Sequence, residues 1–142
     1  MGASGWDYVV PFDEDVAGAL RRLRAEVFAS GDYYWLYEGE RPRPGTEREL
    51  WADEEIRHCM THSVLDVFEV GTGGGQRAFG RTFAVSDEEA VREFGTARPT
   101  LESVADRERL LPLLSERGGG RHLVLYADGE PSQLLFFGAT GD

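Results

Sequence analysis

The stretch Glu54-Glu55-Ile56-Arg57-His58-Cys59-Met60-Thr61-His62 gathers the chain's only cysteine and two of its three histidines. On a continuous helix His58 and His62 are four residues apart and face one way, and Glu55 precedes His58 by three. A zinc-like ion accepts such a set: His58 and His62, completed by Glu55 or Cys59. The spacing does not specify the third ligand, however. Cys59 also stands where a metalloprotease-type helix carries its general-base glutamate. Ordinary polar residues at a helix end is the reading the pattern favours, and no metal or cofactor is expected. Cys59 as a nucleophile needs a thiolate stabilised by His58, His62 or the distant His122, or by a helix N-terminus. It lies instead toward a helix C-terminus, where the dipole disfavours the anion.

Other chemistry is weaker. Gly71-Thr72-Gly73-Gly74-Gly75-Gln76 and Gly118-Gly119-Gly120 look like phosphate loops, but no lysine follows them and both lead into strands rather than helix N-termini. They read as connections. Asp13-Glu14-Asp15, Asp53-Glu54-Glu55 and Asp87-Glu88-Glu89 are acidic triplets. The first and third sit where helices begin and the second within or at the start of one, as the helix dipole favours. No serine occupies a nucleophile elbow.

The aromatic run Tyr33-Tyr34-Trp35-Leu36-Tyr37 is the best functional lead. Five successive large side chains cannot all face one core. Tyr33, Tyr34, Trp35 and Tyr37, flanked by Arg41 and Arg43, are therefore the expected partner-binding residues. The competing reading is a buried strand with its hydroxyls paired.

Charge narrows the partner. Twenty-six acids against fifteen bases leave a net charge of −11 on 142 residues. That balance excludes nucleic acid and anionic membrane, which demand a positive footprint, and favours a neutral or basic protein. Every base is arginine, and lysine and asparagine are absent, the pattern of a GC-rich bacterial genome. No apolar run reaches the ~20 residues of a membrane span. The opening Met1–Trp6 lacks a signal peptide's basic and apolar regions, and a single cysteine forms no internal disulfide. A cytoplasmic protein is expected.

The elements that must position these residues follow from pattern. Trp6 to Phe12 reads as a strand. A helix then opens at Asp13-Glu14-Asp15, with Val16, Ala19, Leu20, Leu23 and Val27 as its stripe and Gly31 as its stop. Asp32 to Glu40 is a strand or an irregular cover. Thr46 and Glu49 form a capping box for a helix from about Glu47 to Met60. Strands are expected at His62–Val70 and Arg77–Val85, and a capped helix from Ser86 to Phe94. A helix from Thr100 is interrupted by Pro112. A hairpin joins Arg121–Ala127 to Ser132–Gly138 through Asp128-Gly129-Glu130-Pro131. Neighbouring strands and clustered helices imply one α+β domain over residues 1–142. Its sheet is expected to be mainly antiparallel, of about five strands, with helices packed on it.

From this, the expected function is a small acidic protein-binding module of the immunity-protein, inhibitor or accessory-subunit type. Homo-oligomerisation is left open. One alternative is a metal-dependent or thiol enzyme built on His58, Cys59 and His62 with Glu54, Glu55 or Asp66. A second is a small-molecule-binding module whose pocket is lined by Tyr33, Trp35 and phenylalanines.

Overall fold

A computed structural model of the chain describes residues 4–72, 80–114 and 119–140. Five strands form one sheet: β1 (Ser4–Pro11), β2 (Glu69–Val70), β3 (Arg81–Ala84), β4 (Gly119–Ala127) and β5 (Glu130–Thr140), in the order β1-β5-β4-β3-β2. β5 is antiparallel to both β1 and β4, whereas β4, β3 and β2 run parallel. The fold is α+β, but the sheet is mixed rather than mainly antiparallel. The reason lies between β3 and β4, where a crossover containing a helix brings the chain back in the same direction.

Both faces of the sheet are covered. α1 (Val16–Ser30), α2 (Glu47–Ala52) and α3 (Glu54–Cys59) lie with the connecting loops on one face, α4 (Asp87–Phe94) and two 3-10 turns (Glu102–Val104 and Arg107–Leu113) on the other. Side chains alternate accordingly along β5. Leu134 and Phe136 join Trp6, Leu20, Leu23, Ile56 and Val64, while Leu135 and Phe137 join Val104, Leu110, Leu113, Leu123 and Leu125. This two-sided burial explains why Leu134-Leu135-Phe136-Phe137 is continuously apolar. Each such side chain contributes ~1.5–3 kcal/mol.

The hairpin forms as expected. Asp128 (φ 53) and Gly129 (φ 80) make its two-residue turn, where both central residues need positive φ. The Ser86–Glu89 capping box is present. Other expectations are corrected. The single helix over 47–60 is two, because Asp53 leaves helical geometry and its carboxylate accepts from the Glu55 and Ile56 amides as the N-cap of α3. Gly119 and Gly120, expected in a connection, begin β4. There the indole of Trp6 lies across Gly120 and Gly138, and a Cβ at Gly138 would come within 2.4 Å of it. The helix expected from Thr100 is the pair of 3-10 turns, with Pro112 inside the second. Of the strand expected over 77–85, residues 77–79 lie outside the described residues.

The strand expected at His62–Val70 is mostly a 3-10 turn, Val64–Asp66, with only Glu69 and Val70 in the sheet. Two charged side chains hold it in place of a strand ladder. Asp66, 1 % exposed, accepts from the Thr61 amide (2.8 Å), the Thr61 hydroxyl (2.7 Å), the His62 amide (3.1 Å) and the Thr140 hydroxyl (2.7 Å). Arg24, buried on α1, donates to the carbonyls of Leu65 (2.8 Å) and Val67 (2.5 Å) and pairs with Glu47 of α2. Asp66→Ala strands four donors at once, three of them buried. We expect a loss of about 3–5 kcal/mol in urea unfolding, with Asp66→Asn recovering part of it.

Candidate partner-binding surface

Beyond α1 the backbone of residues 32–40 turns irregularly instead of joining the sheet. Its anchor is the Tyr34 amide, which donates to the Thr61 carbonyl at 2.8 Å. The aromatic side chains then divide. Tyr33 and Trp35 point inward, each 7 % exposed, while Tyr34 is 46 % exposed and Tyr37 half-buried. Tyr33 stacks on Phe28 with centroids 6.0 Å apart, and the guanidinium of Arg43 sits 5.1 Å over its ring. The Trp35 indole N–H donates to the Arg41 carbonyl at 2.8 Å. Tyr33 and Trp35 are thus core residues, contrary to the role expected for them. Only Tyr34 and the edge of Tyr37 remain for a partner.

The same segment meets the histidine-bearing stretch. α3 ends at Cys59, and Met60 (φ 64) and His62 (φ 53) take positive φ, so His62 leaves the helix axis. Its ring instead meets Tyr34 edge-on, with centroids 5.3 Å apart and planes at 78°. His58 stays exposed on the last turn of α3. Glu55, His58, Cys59 and His62 therefore do not share the helical face that a metal site needs. Among the described residues no group of three or more histidine, cysteine or carboxylate side chains could hold a metal ion. The Cys59 thiol faces the Ile56 and Met60 carbonyls, and burial pushes its pKa up, away from the thiolate a nucleophile needs.

The acids beside Tyr34 and Tyr37 have separate tasks. Asp53 caps α3, accepts the Tyr37 hydroxyl at 3.1 Å and pairs with Arg41 at 2.7 Å. Arg41 in turn lies 3.7 Å over the Tyr37 ring. Glu38 pairs with Arg43 at 3.1 Å. Glu40, Glu54 and Glu55 are exposed and form no ion pair among the described residues. A recess of about 360 Å³ opens beside Glu40, between Trp35 and the loop Glu38–Arg43. Tyr34 is thus an exposed ring seated on Thr61 and His62, whose amides Asp66 holds from beneath.

The remaining candidates serve the fold. The three acidic triplets start helices: Asp15 caps α1, Asp53 caps α3 and Glu89 completes the capping box of α4. Glu89 also takes the Arg121 guanidinium through both carboxylate oxygens, chiefly on account of which its pKa falls to about 2. Of the glycine loop at 71–76, only Gly71 and Thr72 lie within the described residues. Sequence reasoning named Asp66 only as a carboxylate of the enzyme alternative and passed over Arg24 and Arg121. Two carried a signal: Arg24 interrupts the apolar stripe of α1, and Asp66 interrupts the run Val64-Leu65-Val67.

Comparison with protein-family models, with curated proteins and with solved structures finds no match to this chain. No helix among the described residues is long and apolar enough to cross a membrane.

His122 accounts for one pH dependence. It is buried in β4, its Nδ1 3.0 Å from the Thr82 hydroxyl, and burial is the main cause that lowers its pKa from 6.5 to about 4. Below pH 6.5 the unfolded chain takes up a proton that the folded chain refuses. Stability contributed by neutral His122 is therefore full above that pH and lost as pH falls toward 4. The loss amounts to about 3 kcal/mol. Urea midpoints should fall from pH 7 to pH 5 in the wild type and stay flatter in His122→Gln. The Glu89 contribution is lost only below about pH 4.5, as that carboxylate titrates toward its lowered value.

Proposed function

We propose that the protein is a small acidic binding module that docks a basic protein partner through Tyr34 and the carboxylates around it. The observation that carries this reading is the Tyr34 ring, 46 % exposed and seated edge-on against His62, on a chain of net charge −11. An exposed aromatic side chain can supply much of a binding energy, and net charge speeds encounter with a partner of opposite sign. The wider charge distribution supports it. Among the described residues nine arginines are engaged in ion pairs, leaving the acid surplus exposed on Glu14, Glu26, Asp32, Asp87, Glu88 and others. The helical histidine pair of the enzyme reading does not form, and of the ligand-pocket residues Trp35 borders the recess at Glu38–Arg43 while Tyr33 is buried.

The test is a pull-down from the source organism's lysate at low and moderate salt, followed by titration of the recovered partner. A basic protein released as salt rises is the expected result. Tyr34→Ala should weaken its binding by about ten- to a hundredfold while the melting temperature holds. Glu54→Lys with Glu55→Lys should weaken it further at low salt. A partner that binds Tyr34→Ala as tightly as the wild type overturns the assignment of this surface.

A further inference from the structure

We propose a second docking site, separate from the Tyr34 surface: the free edge of β1 accepts an extended segment of another protein as a sixth strand. Among the described residues β1 is an outer strand, paired only with β5. The Phe12 amide donates to the Ser132 carbonyl at 3.1 Å, and the register continues with Val10↔Leu134, Tyr8↔Phe136 and Trp6↔Gly138. Residues of that set turn their backbone groups toward β5. The alternate set, Gly5, Asp7, Val9 and Pro11, therefore directs its carbonyls outward, and the first three direct their amides outward too. No backbone bond among the described residues takes up these outward groups. Such a row is a template for strand addition.

A groove accompanies the edge. It holds about 250 Å³ and is lined by Gly5, Asp7, Leu111, Leu114 and Phe137, with Arg107 and Glu108 at its charged side. Leu111 is 59 % exposed. An added strand would place alternate side chains over this groove, which suits an apolar residue against Leu111 and Leu114. Asp7 is held by Arg107 at 3.0 Å, but Glu108 is exposed and forms no ion pair among the described residues. A basic residue next along the same face would meet Glu108. The occupant is thus an extended segment in which an apolar and a basic residue fall on the same side.

A second copy of this chain fits poorly. Pairing β1 with itself about Asp7 sets Asp7 against Asp7, and pairing about Val9 sets Asp7 against Pro11, which has no amide to give. Each copy also brings a charge of −11. Proline and a charge on an edge strand are the features that discourage self-pairing.

The experiment keeps the protein unchanged and varies the ligand. The probe is a synthetic peptide of about seven residues in which leucine, arginine and valine alternate with threonine. Its binding is followed by amide shifts and hydrogen exchange at Gly5, Asp7 and Val9. We expect saturable shifts and slowed exchange at these three amides. N-methylation of one alternate set of peptide amides should weaken binding by about tenfold or more, and of the other set should leave it unchanged. Replacing the arginine by glutamate should also weaken it. Equal effects from both methylation sets, or no response at the three amides, overturns the proposal. So does a concentration-dependent dimer that protects the same amides without peptide. Tyr34→Ala leaves peptide binding unaltered if the two sites are separate.

Discussion

The structure depends on two opposite charges buried on the same side of the sheet. Asp66 and Arg24 never touch a common partner, yet between them they fix the segment 60–68 against α1, α2 and the end of β5. Neither interaction is cheap to bury. Asp66 is tolerated because its two oxygens receive four donors, the full set a carboxylate can accommodate. Arg24 is tolerated because it meets carbonyls that a 3-10 turn leaves free, and because Glu47 opposes the effect of its burial. The positive φ at Met60 and His62 belongs to the same arrangement. Those conformations cost of order 1–3 kcal/mol each, and the amides they present to Asp66 offset that cost.

How much of this was legible in the sequence varies with the range of the interaction. Elements set by local chemistry were read well: α1 from its stripe, α4 from Ser86 and Glu89, the hairpin from Asp128-Gly129. Elements set by contacts distant in sequence were not. Val64-Leu65-Asp66-Val67 has the composition of a strand, and Thr140 and Arg24, far along the chain in either direction, join the local bonds of Thr61, His62 and Ser63 in making it a turn. Sheet direction failed for a related reason. Neighbouring strands and clustered helices suggest a mainly antiparallel sheet, although the helical patterns between Ser86 and Pro112 are the sign of a parallel crossover.

At the site, the aromatic run was correctly singled out as unable to face one core, but which residues would turn inward was not readable. Alternation alone permits either set. The decision rests on Arg41 and Arg43, whose main-chain carbonyl and guanidinium cover Trp35 and Tyr33 respectively. The histidine pair failed at a single residue. Helical spacing brings His58 and His62 together only if Met60 is helical, and Met60 ends the helix instead.

Arginine use connects these findings to the charge of the surface. Arg24 and Arg121 are spent inside the molecule. Arg121 alone joins β4 to Ala84, Leu113 and Glu89, so that the crossover between β3 and β4 closes around it. Other arginines neutralise carboxylates one by one at the surface, where such pairs contribute little to stability. The consequence is electrostatic rather than structural. Arg48, Arg57, Arg98 and Arg109 are exposed and join no ion pair among the described residues, so the negative surface follows from the surplus of acids over bases rather than from hidden cations. A field of that sign attracts cationic surfaces and holds off anionic polymers and a second copy of the chain.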